Sequence, residues 1–401
     1  MPCLHYYIDF TVFLLSLSST IQSLQSHNIT STLIKPTKII AICNITIPTR
    51  QLLQFSEPPN GLNIIKNYKP QKFIHSMDTK LLTIRTLVSS LSSSSDQTRL
   101  AALRHLRRTS AEDPAARPLI SAAGAVPLLA SALYSPSHPI QDHAAATLLN
   151  LSISDRRPLA ASPALPDALA HLLSRHATSS AASAVQSAAA TLHSLLAVVS
   201  EFRPIITSKP DIIRALVGII SHSDSPTRSI KDALKACFGV ALHPPSRIVL
   251  IRLGAVPVLF ALVAKGKDGN RRAGIIEDAT AVIAQVAACE ESEEAFRKVS
   301  GVSVLTMMLS SESGSCSLRT KENAVAALLN LVRCGSERVF REVRDKVGGL
   351  DGIAYVQEHG SPKGKSKAVA FFKLLLDGGS SGEVVQDLYP VDPESGSSCS
   401  G

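Results

Sequence analysis

The sequence predicts an all-α chain folded as a right-handed α-solenoid of about six to seven repeats, and three observations carry that prediction. First, a block built around Ala-x-x-[AVT]-Leu-x-[polar]-Leu recurs at a near-constant interval. With the polar residue near its end as the register residue, the copies fall at His105, Asn150, Ser194, Gly239, Gln285 and Asn330, with a weaker one near Leu374. Steps of about 44 to 46 residues match the length of stacked helical units. Second, an upstream block keeps step with it: Gly124-Ala-Val-Pro-Leu-Leu, Pro163-Ala-Leu-Pro, Pro210-Asp-Ile-Ile, Gly254-Ala-Val-Pro-Val-Leu, Ser300-Gly-Val-Ser-Val-Leu and Gly348-Gly-Leu-Asp-Gly-Ile. Third, the chain is rich in Ala, Leu and Ser, only 4% aromatic and without tryptophan, which suits packed helices.

Each part of the repeat has a physical reading. Gly124 and Gly254 can take positive φ and end a short first helix. Pro127, Pro166 and Pro257 suit the first turn of a second helix, where an N–H would have no intrahelical acceptor. Apolar residues follow at helical spacing, as in Leu128, Leu129 and Leu133. The later block opens on acids or amides, Gln141 and Asp142, Glu277 and Asp278, and Glu322, which favour the start of a third helix. Its alanines Ala144, Ala233, Ala279 and Ala324 allow helices to approach closely, and its Leu and Phe pairs fill the space between repeats. No such helix can bury its apolar face alone, so the units must stack. A stacked array is usually a binding surface, which directs the search for function towards a partner.

Three segments are expected. Residues 1–76 hold one alanine, Ala41, against a dozen isoleucines and carry no copy of the repeat. They read as a disordered leader or an over-extended start, with Met77 as the natural beginning. Phe10 to Ser19 has the length of a signal-peptide core, but no basic residue precedes it and no clear cleavage site follows. The sequons at Asn28 and Asn44 arise easily in this composition. The sequon at Asn150 sits within a repeat helix, where a glycan does not fit. Residues 77–377 form the array. Residues 378–401 are a Gly/Ser/acidic tail, read as disordered.

Composition narrows the function. The leader contributes +4 of the +9 formal charge, so the array is only mildly basic. Arg104, Arg107 and Arg108 make a local basic face, yet no aromatic stacking set accompanies it, which disfavours nucleic acid. The seven cysteines are odd in number and lack CxxC spacing, so thiols reduced in the cytosol or nucleus are expected. Cys237 and Cys289 are read as packing residues. No run approaches the ~20 apolar residues of a membrane span. The twelve histidines show no metal-site spacing, and His143 and His193 are read as surface or groove residues. Gly266-Lys-Asp-Gly is a turn, and neither a GxSxG elbow nor a phosphate-binding glycine loop is present. No cofactor, metal, small-molecule substrate or catalytic residue is expected in this chain.

The segments "GAVPLL…QDHAAATLLNLS" and "GAVPVL…KENAVAALLNLV" resemble armadillo repeats over about Gln97 to Leu376. The opening "LAALRHLRR…PLISAAGAVPLL" is similar to the armadillo region of plant U-box ubiquitin ligases and their armadillo-only relatives. The U-box features of that family, Cys-Pro-Ile, Asp-Pro-Val and a closing Trp, do not occur, so ligase activity is not carried over to this polypeptide. The resemblance implies that third helices line a concave groove for an extended protein segment and that Asn150 and Asn330 face it. Two readings stand for these asparagines: they grip the backbone of a partner, or they bond neighbouring backbone of the array. Gln285 could act alike, and His193 is a groove candidate. Lys231, Lys235 and Lys321 would make the groove mildly basic and suit an acidic or phosphorylated partner. Importin-type grooves place a Trp one turn before each Asn. Here those positions are Ala146 and Ala326, so lysine-rich signals are not the expected ligand.

Overall fold

The structure, a computed structural model, describes residues 70–176, 182–264, 273–310, 316–347 and 351–377. The leader up to residue 69 with its Asn28 and Asn44 sequons, the tail from 378, the Gly266-Lys-Asp-Gly turn and Gly348 to Leu350 lie outside the described residues. The chain divides after Pro70 into two units, and the described helices belong to the second, apart from their first proline.

All regular structure among the described residues is helical. Helix α1 (Pro70–Ser90) runs through Met77 without a break, and α2 (Asp96–Glu112) follows. Ser95 caps α2 by accepting from Thr98 N–H. Six three-helix units come next: α3 (Ala116–Ala122), α4 (Ala125–Ala132) and α5 (His138–Ser154); α6 (Arg157–Ala160), α7 (Leu165–His176) and α8 (Ala182–Val198); α9 (Phe202–Thr207), α10 (Pro210–Ser221) and α11 (Thr227–Ala241); α12 (Pro244–Arg252), α13 (Ala255–Ala264) and α14 (Ala273–Val286); α15 (Ser292–Lys298), α16 (Gly301–Leu309) and α17 (Leu318–Cys334); α18 (Glu337–Lys346), α19 (Asp351–His359) and α20 (Pro362–Leu376).

Like packs on like along the array. The long third helices form one layer, in the order α2, α5, α8, α11, α14, α17, α20. The second helices α4, α7, α10, α13, α16 and α19 form another. This is the expected α-solenoid, with one register residue on each of the seven third helices.

The turns into the second helices follow from backbone sterics. Gly124 (φ 81°) and Gly254 (φ 80°) take the left-handed region at equivalent places, and Ser300 (φ 52°) takes it in the corresponding turn despite its side chain. The predicted alanines are core: Ala144, Ala233, Ala279 and Ala324 are each 0% exposed. Leu148, Leu192, Leu234 and Leu328 fill the space beside them. Burying each such leucine is worth about 1.5–3 kcal/mol, and a neighbouring unit supplies the surface for it. Cys237 is core as well, and burial pushes its thiol up to about 12.

Candidate functional site

One face of the third-helix layer is left open by the other helices. From α5 to α17, residues six, five, three and two before the register residue are buried without exception. Residues eight before it are half-exposed throughout, and the register residue itself is half-exposed except at Gly239. Helical periodicity puts this second set on a single stripe of each helix, so consecutive third helices present one continuous polar strip.

The register residues are already engaged with the array. Asn150 Nδ2 donates to Ser110 Oγ (3.0 Å) and Arg107 O (3.3 Å) in the preceding third helix. Ser194 Oγ donates to Ser152 O (2.8 Å), and Asn330 Nδ2 to Ala284 O (2.9 Å). Ser152 and Ala284 lie in the last turns of their helices, where carbonyls lack an intrahelical donor. Each asparagine thus donates to the neighbouring repeat, Asn150 to a hydroxyl and a backbone carbonyl and Asn330 to a backbone carbonyl. Gly239 breaks the polar series for a steric reason, since a Cβ there would stand 2.6 Å from Leu196 Cβ. Gln285 is half-exposed, and its side chain makes no hydrogen bond among the described residues.

Lys321 departs from the expectation. It is 8% exposed, its Nζ donates to Ser310 O (3.5 Å) and it lies 5.0 Å from the Tyr355 ring centroid. Gln141, at the same place in its repeat, is 3% exposed and donates from Nε2 to Leu133 O (2.9 Å). Nine residues before the register residue, the third helix faces the C-terminal end of the second helix of its own repeat. Lys321 caps that end and is withdrawn from the open face.

The centre of the strip is different in character. His193 on α8, Lys235 on α11, Asp278 on α14 and Arg319 on α17 lie one, four, seven and eleven residues before their register residues. They therefore step about one turn per helix along a diagonal. His193 Nδ1 and Asp278 Oδ2 are buried atoms without a hydrogen-bond partner. Burial, then Lys235, holds the His193 imidazole below its ordinary value, with Asp232 opposing. Burial raises the Asp278 carboxyl, against the pull of Lys235, Lys231 and Arg319. The Lys235 ammonium has neither ion pair nor hydrogen bond among the described residues, while its backbone lies against the His193 ring.

Sequence reasoning missed the arginines that tie the repeats together. Arg117 Nε donates to Ser110 O (2.7 Å), Arg203 Nε to Leu196 O (3.0 Å) and Arg247 Nε to Ala241 O (3.0 Å), each capping the end of a third helix. Arg247 Nη1 reaches on to Ala288 O (2.8 Å) just beyond α14, and Arg117 Nη1 to Ser154 Oγ (3.0 Å) on α5. A cation six or seven residues beyond a third-helix carbonyl was the available signal. The acids expected at the starts of the third helices lie about one turn inside, since α5, α14 and α17 begin at His138, Ala273 and Leu318, and two of them work between repeats. Glu277 Oε1 accepts from Ser317 Oγ (2.6 Å), and Glu322 Oε2 from Ser361 Oγ (3.0 Å), both serines being N-caps of the next third helix.

A family model described as the plant U-box protein ARM repeat region matches residues 83–387. The chain is 25% identical over 296 residues to U-box domain-containing protein 18 of Arabidopsis thaliana, covering 73% of this chain and 41% of that protein. It is 28% identical over 305 residues to U-box domain-containing protein 8 of the same plant, 75% of each. A third Arabidopsis relative, U-box domain-containing protein 38, is 28% identical over 156 residues, 37% of this chain and 26% of that protein. The chain thus spans less than half the length of two of these three relatives. The crystal structure of an engineered protein, 20% identical, covers 74% of this chain and 82% of its own with a TM-score of 0.51, a likeness of fold.

Proposed function

The chain belongs to the family of plant U-box protein ARM repeat regions, and from that premise we propose that it is a protein-recognition module binding an extended partner segment along the open face of its third helices. The observation that carries this reading is the half-exposed polar strip that runs across the five stacked helices from α5 to α17. Its floor is small: the residue four before the register residue is Ala101, Ala146, Ala190, Ala281, Ala326 or Ala370 on six of the seven third helices. Small residues leave room for a chain to lie close to the helices, and the flanking polar groups supply donors and acceptors for its backbone. The partner is an acidic or phosphorylated protein segment, met in the cytosol or nucleus where thiols stay reduced. The test places Ala281→Arg in the floor and Met307→Arg on the exposed surface of α16, then measures binding of peptides selected on the unaltered chain. Loss of binding with the first and not the second is expected; indifference to Ala281→Arg would move the interface elsewhere.

A second reading is favoured by the relatives, whose names mark them as U-box domain-containing proteins. In it the chain is the substrate-selecting part of a ubiquitin ligase, and the ligase function resides in a U-box outside this chain. A ubiquitination assay separates the two contributions. This polypeptide alone should be inert, and joined to a U-box it should direct ubiquitin onto whatever its open face binds.

A further inference from the structure

On the alanine floor of the open face one residue is out of pattern. The place filled by alanine on six third helices is filled by Lys235 on α11, the central helix of the seven. Its ammonium lacks an ion pair and a hydrogen bond among the described residues. It is flanked along the diagonal by two buried polar atoms that also lack partners, His193 Nδ1 on α8 and Asp278 Oδ2 on α14. Buried polar groups in folded proteins are almost always paired, so a cation between two orphaned atoms marks a place that a ligand or ordered water completes. Of the surrounding acids, Asp278 attracts Lys235 through space but forms no ion pair with it among the described residues, and the other two are held elsewhere. Asp232 accepts from Gln186 Nε2 (3.0 Å), and Glu277 from Ser317 Oγ (2.6 Å), so both are committed to the array. The surrounding cations reinforce Lys235. Arg319 is exposed and makes no ion pair or hydrogen bond among the described residues. Lys231 extends over Gly274, where a Cβ would come within 2.7 Å of its Nζ.

We propose that Lys235 is the specificity-determining seat of the open face: it takes the carboxylate of an Asp or Glu in an extended partner segment, while Asp278 accepts an N–H from the same segment one helix further on. The proposal deepens the recognition reading above and rests on it. Geometry permits both contacts at once. Packed helix axes lie about 8–10 Å apart and an extended chain advances about 3.3 Å per residue, so neighbouring third helices meet every third residue of the segment. Lys235 stands in a row whose equivalent positions on the other third helices all end at Cβ. An acidic residue can therefore reach the ammonium without displacing another group.

The test is selection of a random peptide library on the immobilised full chain, repeated on Lys235→Glu, Lys235→Met and Ala281→Arg. Peptides from the unaltered chain should be enriched in Asp and Glu and bind Lys235→Met about tenfold more weakly. Lys235→Glu should return a pool enriched in Lys and Arg, an inversion that a structural role for Lys235 would not produce. A first pool without acidic enrichment, or acidic peptides that bind Lys235→Met undiminished, overturns the seat. Failure of the broader reading looks different: selected peptides would then be indifferent to Ala281→Arg as well. Lys235→Met keeps the aliphatic stem, so thermal melting that matches the unaltered chain confirms that its loss of binding is one of charge.

Discussion

Asn330 Nδ2 donates a 2.9 Å hydrogen bond to Ala284 O, joining α17 to the last turn of α14 across one repeat. Asn150 does the same for α5 and α2. The residues that mark the repeat most clearly are thus rungs between repeats, with one amide N–H of Asn330 committed to the array and a second N–H left over. Replacing Asn330 by Ala leaves the Ala284 carbonyl without a donor and should lower stability by about 1 kcal/mol. Urea unfolding at constant slope measures this. An unchanged midpoint would mean water takes over the bond without loss.

Gly239 and Gly124 separate two reasons for glycine. A Cβ at Gly239 meets Leu196 Cβ at 2.6 Å, so Gly239→Ala must push α11 away from α8 and should cost about 1–3 kcal/mol. A Cβ at Gly124 meets nothing within 4 Å, so Gly124→Ala should cost only the left-handed backbone, about 1 kcal/mol. Ser300→Gly should gain part of that amount, because Ser300 already bears the strain at φ 52°. The three melting temperatures should rank in that order, and Gly239→Ala melting above Gly124→Ala would refute the steric account.

Arg247 is 7% exposed and bonds two carbonyls, Ala241 O and Ala288 O, at the ends of neighbouring third helices. Arg247→Met should cost on the order of 3 kcal/mol, as both charge-assisted bonds vanish. Arg247→Lys should recover less than half, since an ammonium lacks the guanidinium's planar fork. Full rescue by lysine, read from unfolding midpoints, would show that charge alone matters.

Acid should weaken the array. Burial, aided by Arg107, depresses His143; burial, aided by Lys235, depresses His193; and burial, aided by Arg203 and Arg247, depresses His243. Each group binds its proton more readily in the unfolded chain. Stability is therefore fully present above the ordinary imidazole value of 6.5 and is lost as pH falls below it through the folded-state values. Melting temperature should drop across that window, and His193→Gln should make the drop shallower. A melting temperature that rises on acidification would reverse the assignment.

Lys321 should be silent in binding. Its ammonium lies under Tyr355 and against Ser310 O, away from the open face. Peptides selected on the chain should bind Lys321→Met unchanged while losing affinity for Lys235→Met. Equal losses, measured by fluorescence anisotropy, would put the two lysines on one surface after all.

The Ala/Leu block by itself determined the number and order of the third helices and the alanines that let them approach, and the upstream Gly-Ala-Val-Pro block the turns at Gly124 and Gly254. These depend on which residues are apolar and at what spacing, and spacing is written along the chain. The partner of each polar side chain was decided only by tertiary structure. Asn150, Lys321 and Lys235 all occupy third helices, yet one bonds the preceding repeat, one caps the second helix of its own repeat and one stands uncommitted on the open face. A shift of one residue along a helix turns a side chain by about 100°, and the packing offset between helices then sets which carbonyl or ring it meets. The sequence lists the donors and acceptors, and only the stacking of the repeats assigns them to each other.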